Sequence, residues 1–277
     1  MIEHLSLFNI VFILIAFLGY FIGFMFYLMA ISHRHERLTQ YGNYIAWGAF
    51  ILHSFSILFR GLALGYSPLA NLYETLMFFA WCIVLLFIII NYFYNLRIIG
   101  VIILPLACIC LGYALIIPKT MEPLPPILNN RLFEIHIVVA FLSYASFVIA
   151  FVTGLMYLYQ EKQIKSKSKS IWHYRLASLE VLDEVNYRSI TFGFPLFTLT
   201  IIVGMIWAQQ VWSSFWSWQP KQIAAFIIWL FYAILLHVRI TAGWRGKKTA
   251  YLSIIGFLLV ISTYIGLHFL KIGEHNF

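Results

Sequence analysis

Three tryptophans crowd the stretch Trp212-Ser-Ser-Phe-Trp216-Ser-Trp218-Gln219-Pro220-Lys221-Gln222. An indole has a broad apolar face and a polar N–H edge, so indoles at this density make a surface and not merely a core. Histidine is the second residue type with suitable chemistry. His136 and His268 stand at the ends of apolar segments. Imidazole is a strong ligand for iron, and heme iron takes one ligand above and one below its ring plane. Together, a flat aromatic platform and two imidazoles meet the needs of a heme, with Lys221 or Arg60 as cations for its propionates. Taken alone, the Trp run is equally an interfacial aromatic belt, and either histidine alone is an interfacial or hydrogen-bonded side chain. The combination points to heme.

The elements that must position these residues are membrane helices. The 277 residues are 62% hydrophobic and 10% charged, with mean hydropathy +0.89, which no solvated domain shows. A helix needs about 20 apolar residues to cross a ~30 Å hydrocarbon core. Such stretches lie at 5–31, 44–65, 70–94, 98–117, 134–160, 190–209, 221–241 and 248–270. The expected fold is therefore all-α, a polytopic membrane protein of about eight transmembrane helices forming one integral domain over 1–277. A loop at 161–189 and a Trp-rich loop at 210–222 connect the spans.

Charge sets the expected orientation. Segments 32–43, 95–97, 161–189 and 239–248 hold Arg34, Arg37, Arg97, Lys162, Lys165, Lys167, Lys169, Arg175, Arg188, Arg239, Arg245, Lys247 and Lys248, thirteen of the 18 Lys and Arg. The positive-inside rule puts this side in the cytoplasm, so the Trp-rich loop and both termini face out. Arg60, Lys119, Arg131, Lys221 and Lys271 fall at the opposite helix ends. The net charge of +8 is thereby explained by topology and by contact with membrane lipid headgroups, with no nucleic-acid partner. The first span is too long for a cleavable signal and lacks a charged leader, so it reads as a retained helix. Cys82, Cys108 and Cys110 form no Cys-x-x-Cys pair, which argues against thiol redox work. No Gly-x-x-x-x-Gly-Lys-Ser/Thr loop is present for ATP.

Two further histidines lie at membrane depth, where an ionisable group is a functional candidate. His237 sits toward the cytoplasmic end of the seventh span and is followed by Arg239 and Gly243-Trp244-Arg245-Gly246. His53 lies near the middle of the second span and reads as a hydrogen bond between helices.

Several of these segments occur in a known order. The run Trp207-Ala-Gln-Gln-Val-Trp212 continuing to Gln222, Ser67-Pro-Leu-Ala-Asn71-Leu-Tyr73-Glu74, Phe141-Leu-Ser-Tyr144 after His136, Leu236-His237-Val-Arg239 and Gly266-Leu-His268 together resemble the cytochrome c assembly proteins, nearest the CcsA (ResC) family of the system II pathway. The resemblance covers roughly 44–270. It implies heme b as the group handled, His136 and His268 as external axial ligands beside Trp212, Trp216, Trp218 and Lys221, and His237 as an intramembrane ligand. It also implies a CcsB/ResB-type membrane subunit that supplies a second intramembrane histidine, and apocytochrome c as the acceptor. The function implied is heme passage across a bacterial cytoplasmic membrane, or a thylakoid membrane if plastid, as part of a holocytochrome c synthase (heme lyase) complex. A heme exporter or regulator without attachment activity and a b-type electron-transfer subunit are the alternatives. One departure is plain: Gln219 and Gln222 stand where the signature has acids.

Overall fold

The computed structural model describes residues 2–33, 35–119, 123–167 and 177–269, with the backbone only at residue 2 and over 264–269. The described residues form eight α-helices, α1 (Ile2–His33), α2 (Glu36–Leu64), α3 (Leu72–Tyr94), α4 (Gly100–Ile116), α5 (Arg131–Lys165), α6 (Leu179–Trp212), α7 (Pro220–Thr241) and α8 (Lys247–Phe269), with a 3-10 turn at Arg97–Ile99. Among the described residues, the first seven are long and apolar enough to cross a membrane. The all-α polytopic fold expected from hydropathy is the fold observed.

Helices reach beyond the apolar stretches because polar residues carry them on. α5 continues to Lys165, which pairs with Glu161 at 2.6 Å, and α6 starts at Leu179 under a Ser178 cap that accepts from the Val181 N–H at 3.3 Å. The segment 161–189, expected as a loop, is thus helical at both ends. The Trp-rich connection likewise shrinks to Ser213–Gln219, between the end of α6 and the start of α7.

The chain divides into two compact units, residues 1–125 with 166–177, and residues 126–165 with 178–277. In the first, α1 packs along α2 and α4, and α3 along α4. Small residues permit the approach: a Cβ added to Gly19 would lie 2.7 Å from that of Ala49, and one on Gly100 2.7 Å from the Tyr27 ring.

Polar side chains of this unit are tied across helices. Asn9 Nδ2 donates to the Ser56 carbonyl at 2.9 Å, and the Tyr73 hydroxyl donates to Asn9 Oδ1 at 2.8 Å. The His53 ring, fully buried, meets the Tyr20 hydroxyl at 3.2 Å, the interhelical role expected of it. Asn71, Tyr73 and Glu74 of the sequence motif form a structural knot. Asn71 caps α3 by accepting from Glu74 N, while the Glu74 carboxylate accepts from Ala70 N at 2.9 Å and from Arg60 at 2.9 and 3.1 Å. Arg60 is therefore committed to Glu74 at 1% exposure, which removes it as a propionate partner. Interhelical hydrogen bonds in membranes are individually modest. Tyr73→Phe, which deletes the bond to Asn9, is expected to cost about 1 kcal/mol, read as a small fall in the melting temperature in detergent.

The second unit is organised by α5 against α6, with α8 on α5 and α7 on α8. Three contacts show an antiparallel register in steps of seven: His136 meets Thr200, Ser143 meets Gly193 and Asn186 meets Ala150. A seven-residue repeat keeps one stripe of each helix facing the other. Gly193 accommodates Ser146 and Phe147, either of which would stand 2.9 Å from an added Cβ. Phe147 stacks on Tyr232 of α7 with ring centres 3.8 Å apart, joining the third helix to the pair.

Candidate functional site

His136 lies on the first turns of α5 and is aimed at the last third of α6. Its Nδ1 is 2.9 Å from the Thr200 carbonyl oxygen. A carbonyl only accepts, so Nδ1 carries the proton and the neutral ring keeps its lone pair on Nε2. Among the described residues Nε2 has no hydrogen bond. The same tautomer-fixing contact to a backbone carbonyl is what orients a metal-ligating histidine.

Three residues of α6 build the seat. Thr200 supplies the carbonyl, Gly204 supplies space and Trp207 supplies a wall. A Cβ on Gly204 would sit 2.8 Å from His136 Cε1, and the Trp207 ring centre is 6.4 Å from that of the histidine. Positions 200, 204 and 207 follow the i, i+4, i+7 spacing of one helix face. That spacing is available in the sequence and adds Thr200 and Gly204 to the Trp-rich run that begins at Trp207.

The tryptophans fall into two groups. Trp207 packs edge to face with Trp212 at 5.3 Å and against Phe133 at 5.3 Å, on the His136 side of α6. Trp216 packs edge to face with Trp218 at 5.7 Å and approaches Phe226 of α7 at 6.5 Å. Trp212, Phe215 and Trp218 are 40%, 52% and 72% exposed, so they present the aromatic surface expected. The indole N–H groups of Trp207 and Trp216 are buried, with no acceptor among the described residues. A buried donor without a partner is costly and points to a group that would accept from it.

The loop owes its shape to backbone conformation and one amide. Ser213 and Trp218 take left-handed φ values of 54° and 56°, and Pro220 opens α7 at a position where no N–H is needed. Gln222 Oε1 accepts from the Ser217 N–H at 2.9 Å and from the Gln219 N–H at 3.4 Å. An amide oxygen performs this acceptor role as a carboxylate would, so the departure at 222 leaves the loop hydrogen bonds intact. Lys221, on the first turn of α7, is half-buried with no acidic partner among the described residues.

The other two histidines stand apart from this seat. His268 belongs to the backbone of α8, and its side chain lies outside the described residues. His237 is exposed on α7, 17 residues after Pro220 and so about 25 Å further along the helix. The structure does not bring it to His136.

Two residues beyond His237 on α7 stands one half of a buried ion pair that the sequence does not announce. Arg239 forks onto Asp183 of α6, Nη1 to Oδ1 at 2.9 Å and Nη2 to Oδ2 at 2.7 Å, and lies over the Tyr187 ring at 4.4 Å. Asp183 Oδ1 also accepts from the Gly246 N–H at 2.8 Å and the Thr249 hydroxyl at 3.2 Å. Gly243 and Gly246 hold φ near +65° at the turn into α8. The Arg239 and Gly243-Trp-Arg-Gly246 motif is accordingly a clip joining α6, α7 and α8. With Arg239 turned inward, His237 two residues earlier is turned outward.

These features define an integral membrane protein whose second four-helix unit carries a histidine seat lined by tryptophan at one end and an outward-facing histidine near the other. The sequence pattern described as Cytochrome C assembly protein matches residues 69–275, so the chain belongs to that family. It is 35% identical to the cytochrome c biogenesis protein CcsA of Guillardia theta over 97% of this chain and 94% of that protein. It is 37% identical to the CcsA of Prochlorococcus marinus (strain MIT 9301) over 82% of this chain and 81% of that protein. The fold is also that of a solved cytochrome c heme lyase CcmF, at TM-score 0.68 and 15% identity, over 96% of this chain and 49% of that one. The chain is thus a cytochrome c biogenesis protein of the CcsA type, and α1 and α2 precede the segment shared across the wider family.

Proposed function

We propose that this chain carries heme to the membrane face bearing the Trp-rich loop and presents it there for covalent attachment to the Cys-x-x-Cys-His segment of an apocytochrome c. The observation that carries the reading is the His136 ring, fixed through Nδ1 on Thr200 with Nε2 left to bind iron beside Trp207. His268 is the second axial ligand in this reading. Trp212 and Trp218 cover the porphyrin faces, while the unpaired indole N–H groups of Trp207 and Trp216 and the ammonium of Lys221 meet the propionates.

His237 serves an earlier stage. An exposed imidazole on a membrane helix suits a ligand shared with a neighbouring subunit, here a CcsB-type partner that contributes the second histidine. The Arg239–Asp183 clip keeps it turned toward that partner. The charge bias of the loops makes the His136 end the outer one, in a bacterial cytoplasmic or a thylakoid membrane. Residues 1–277 act as one heme-handling domain.

Attachment needs no thiol from this chain. Each apocytochrome S–H adds across a heme vinyl group, the sulfur forming the C–S bond and the hydrogen ending on the neighbouring carbon. The histidine of the acceptor then replaces one imidazole ligand. Expression with a CcsB-type subunit and an apocytochrome in a host lacking its own pathway tests this, with covalent heme staining as the readout. Stained cytochrome is expected with the native chain and less than about a tenth of it with His136→Ala, since an axial ligand is lost. Equal staining in both would contradict the proposal.

A further inference from the structure

The first unit contains a cavity of about 150 Å³ that the heme chemistry does not use. It is lined by Tyr27 and Ile31 from the end of α1, Thr39 from the start of α2, and Asn95 and Arg97 from the turn between α3 and α4. All belong to the same compact unit.

Tyr27 is the unusual member. It is 1% exposed, and its hydroxyl is buried with no hydrogen-bond partner. The ring is held against movement. A Cβ on Gly100 would be 2.7 Å from Tyr27 Cε2, one on Gly42 3.4 Å from Cδ2, and Phe87 packs edge-on at 6.2 Å. With the ring held in place, the fold keeps a buried donor that nothing among the described residues satisfies.

Arg97 is the complementary group. Its guanidinium, half-buried in the same wall, has no acceptor and no carboxylate among the described residues. Among the described residues, no acidic one lines the cavity. Asn95, at φ 51°, turns the chain so that Arg97 follows directly after α3. A fixed O–H donor and a fork of N–H donors in the wall of a cavity lined by no described carboxylate are suited to an oxyanion.

The position in the membrane narrows the class. Tyr92 and Phe93, on the last turn of α3 beside this turn, are 80% and 72% exposed, as aromatic side chains at headgroup level are. Ala30, Ile31, Leu96 and Ile98 make the rest of the wall apolar. We propose that this cavity binds a phosphate oxyanion, with the Arg97 guanidinium and the Tyr27 hydroxyl as its donors, supplied by an anionic phospholipid headgroup or by free phosphate. The space, several times the roughly 30 Å³ of a liquid water, admits a phosphate with part of a glycerol.

The test uses the full chain in detergent, stripped of lipid, with melting temperature recorded against added phosphatidylglycerol, uncharged monoolein or inorganic phosphate. Phosphatidylglycerol is expected to stabilise the protein and monoolein not to. Arg97→Gln should raise the half-saturating concentration about tenfold or more, as loss of a charge-assisted hydrogen bond does, and Tyr27→Phe about fivefold. Tyr27→Phe should not lower the melting temperature of the lipid-free protein, because the hydroxyl it removes has no partner there. That separates a ligand site from a folding defect. Stabilisation by phosphate alone, lost in Arg97→Gln, keeps the oxyanion site and makes free phosphate its source. Equal stabilisation by monoolein, or a response unchanged in both variants, would overturn the assignment.

Discussion

Gly204→Ala is expected to weaken heme binding by about 10- to 100-fold without touching a ligand, the range seen when the group that orients a metal ligand is lost. The added methyl would stand 2.8 Å from His136 Cε1 and 2.9 Å from Nδ1. Both are imidazole ring atoms rather than the end of a flexible chain, so the ring must move, and the bond from Nδ1 to the Thr200 carbonyl is broken or bent. Because that acceptor is a backbone atom, no side-chain substitution at 200 removes it. Gly204 is the available handle. Titration of the purified protein with heme, followed at the absorption band of the six-coordinate iron, measures the shift. A control at Gly193, where an added Cβ meets Ser146 and Phe147 instead, should alter stability and leave the heme spectrum of the folded fraction unchanged. An affinity unaffected by Gly204→Ala would show that the Thr200 contact does not orient the ligand.

Asp183→Asn is the second large effect, and it acts on stability first. The substitution leaves Arg239 charged, 7% exposed and without its counter-ion, and it weakens the acceptor that Gly246 and Thr249 also use. Breaking a buried pair by removing one partner costs about 3–5 kcal/mol, and the partial exposure of Asp183 puts the expected loss near the lower end. Replacing both partners by apolar residues, Asp183→Leu with Arg239→Met, should recover much of that loss, because no buried charge then remains. The double variant is the informative one. It keeps the helices packed while removing the polar clip beside His237, so thermal unfolding in detergent and cytochrome yield can be compared in the same protein. Recovery of stability with reduced yield is expected if the clip positions His237 for a partner. Recovery of both would reduce the clip to a stability element.

Those two sites differ in how far the sequence discloses them. Apolar length located all eight helices, because crossing a membrane requires it. It could not locate their ends, since α5 and α6 continue on a Glu161–Lys165 pair and a Ser178 cap that hydropathy scores as loop. Thr200, Gly204 and Trp207 share a helix face and were readable by spacing, once His136 was known to need a seat. Asp183 and Arg239 stand 56 residues apart, and nothing local to either announces the other. The outward turn of His237 was equally hidden, because a membrane helix is apolar all round and its periodicity does not say which side faces protein. Arg60 illustrates the reverse error. Its position near a helix end suggested a free cation, while the fold had committed it to Glu74.

The most direct test of the account is the reduced absorption spectrum of the protein purified with and without a CcsB-type subunit, for the native chain and for the His136→Ala, His268→Ala double variant. A six-coordinate low-spin heme is expected in the native protein, lost or strongly weakened in the variant, because both proposed axial imidazoles of the Trp-rich end are gone. A spectrum indifferent to both substitutions, or no heme in any form, would contradict it and return Trp212, Trp216 and Trp218 to an interfacial belt.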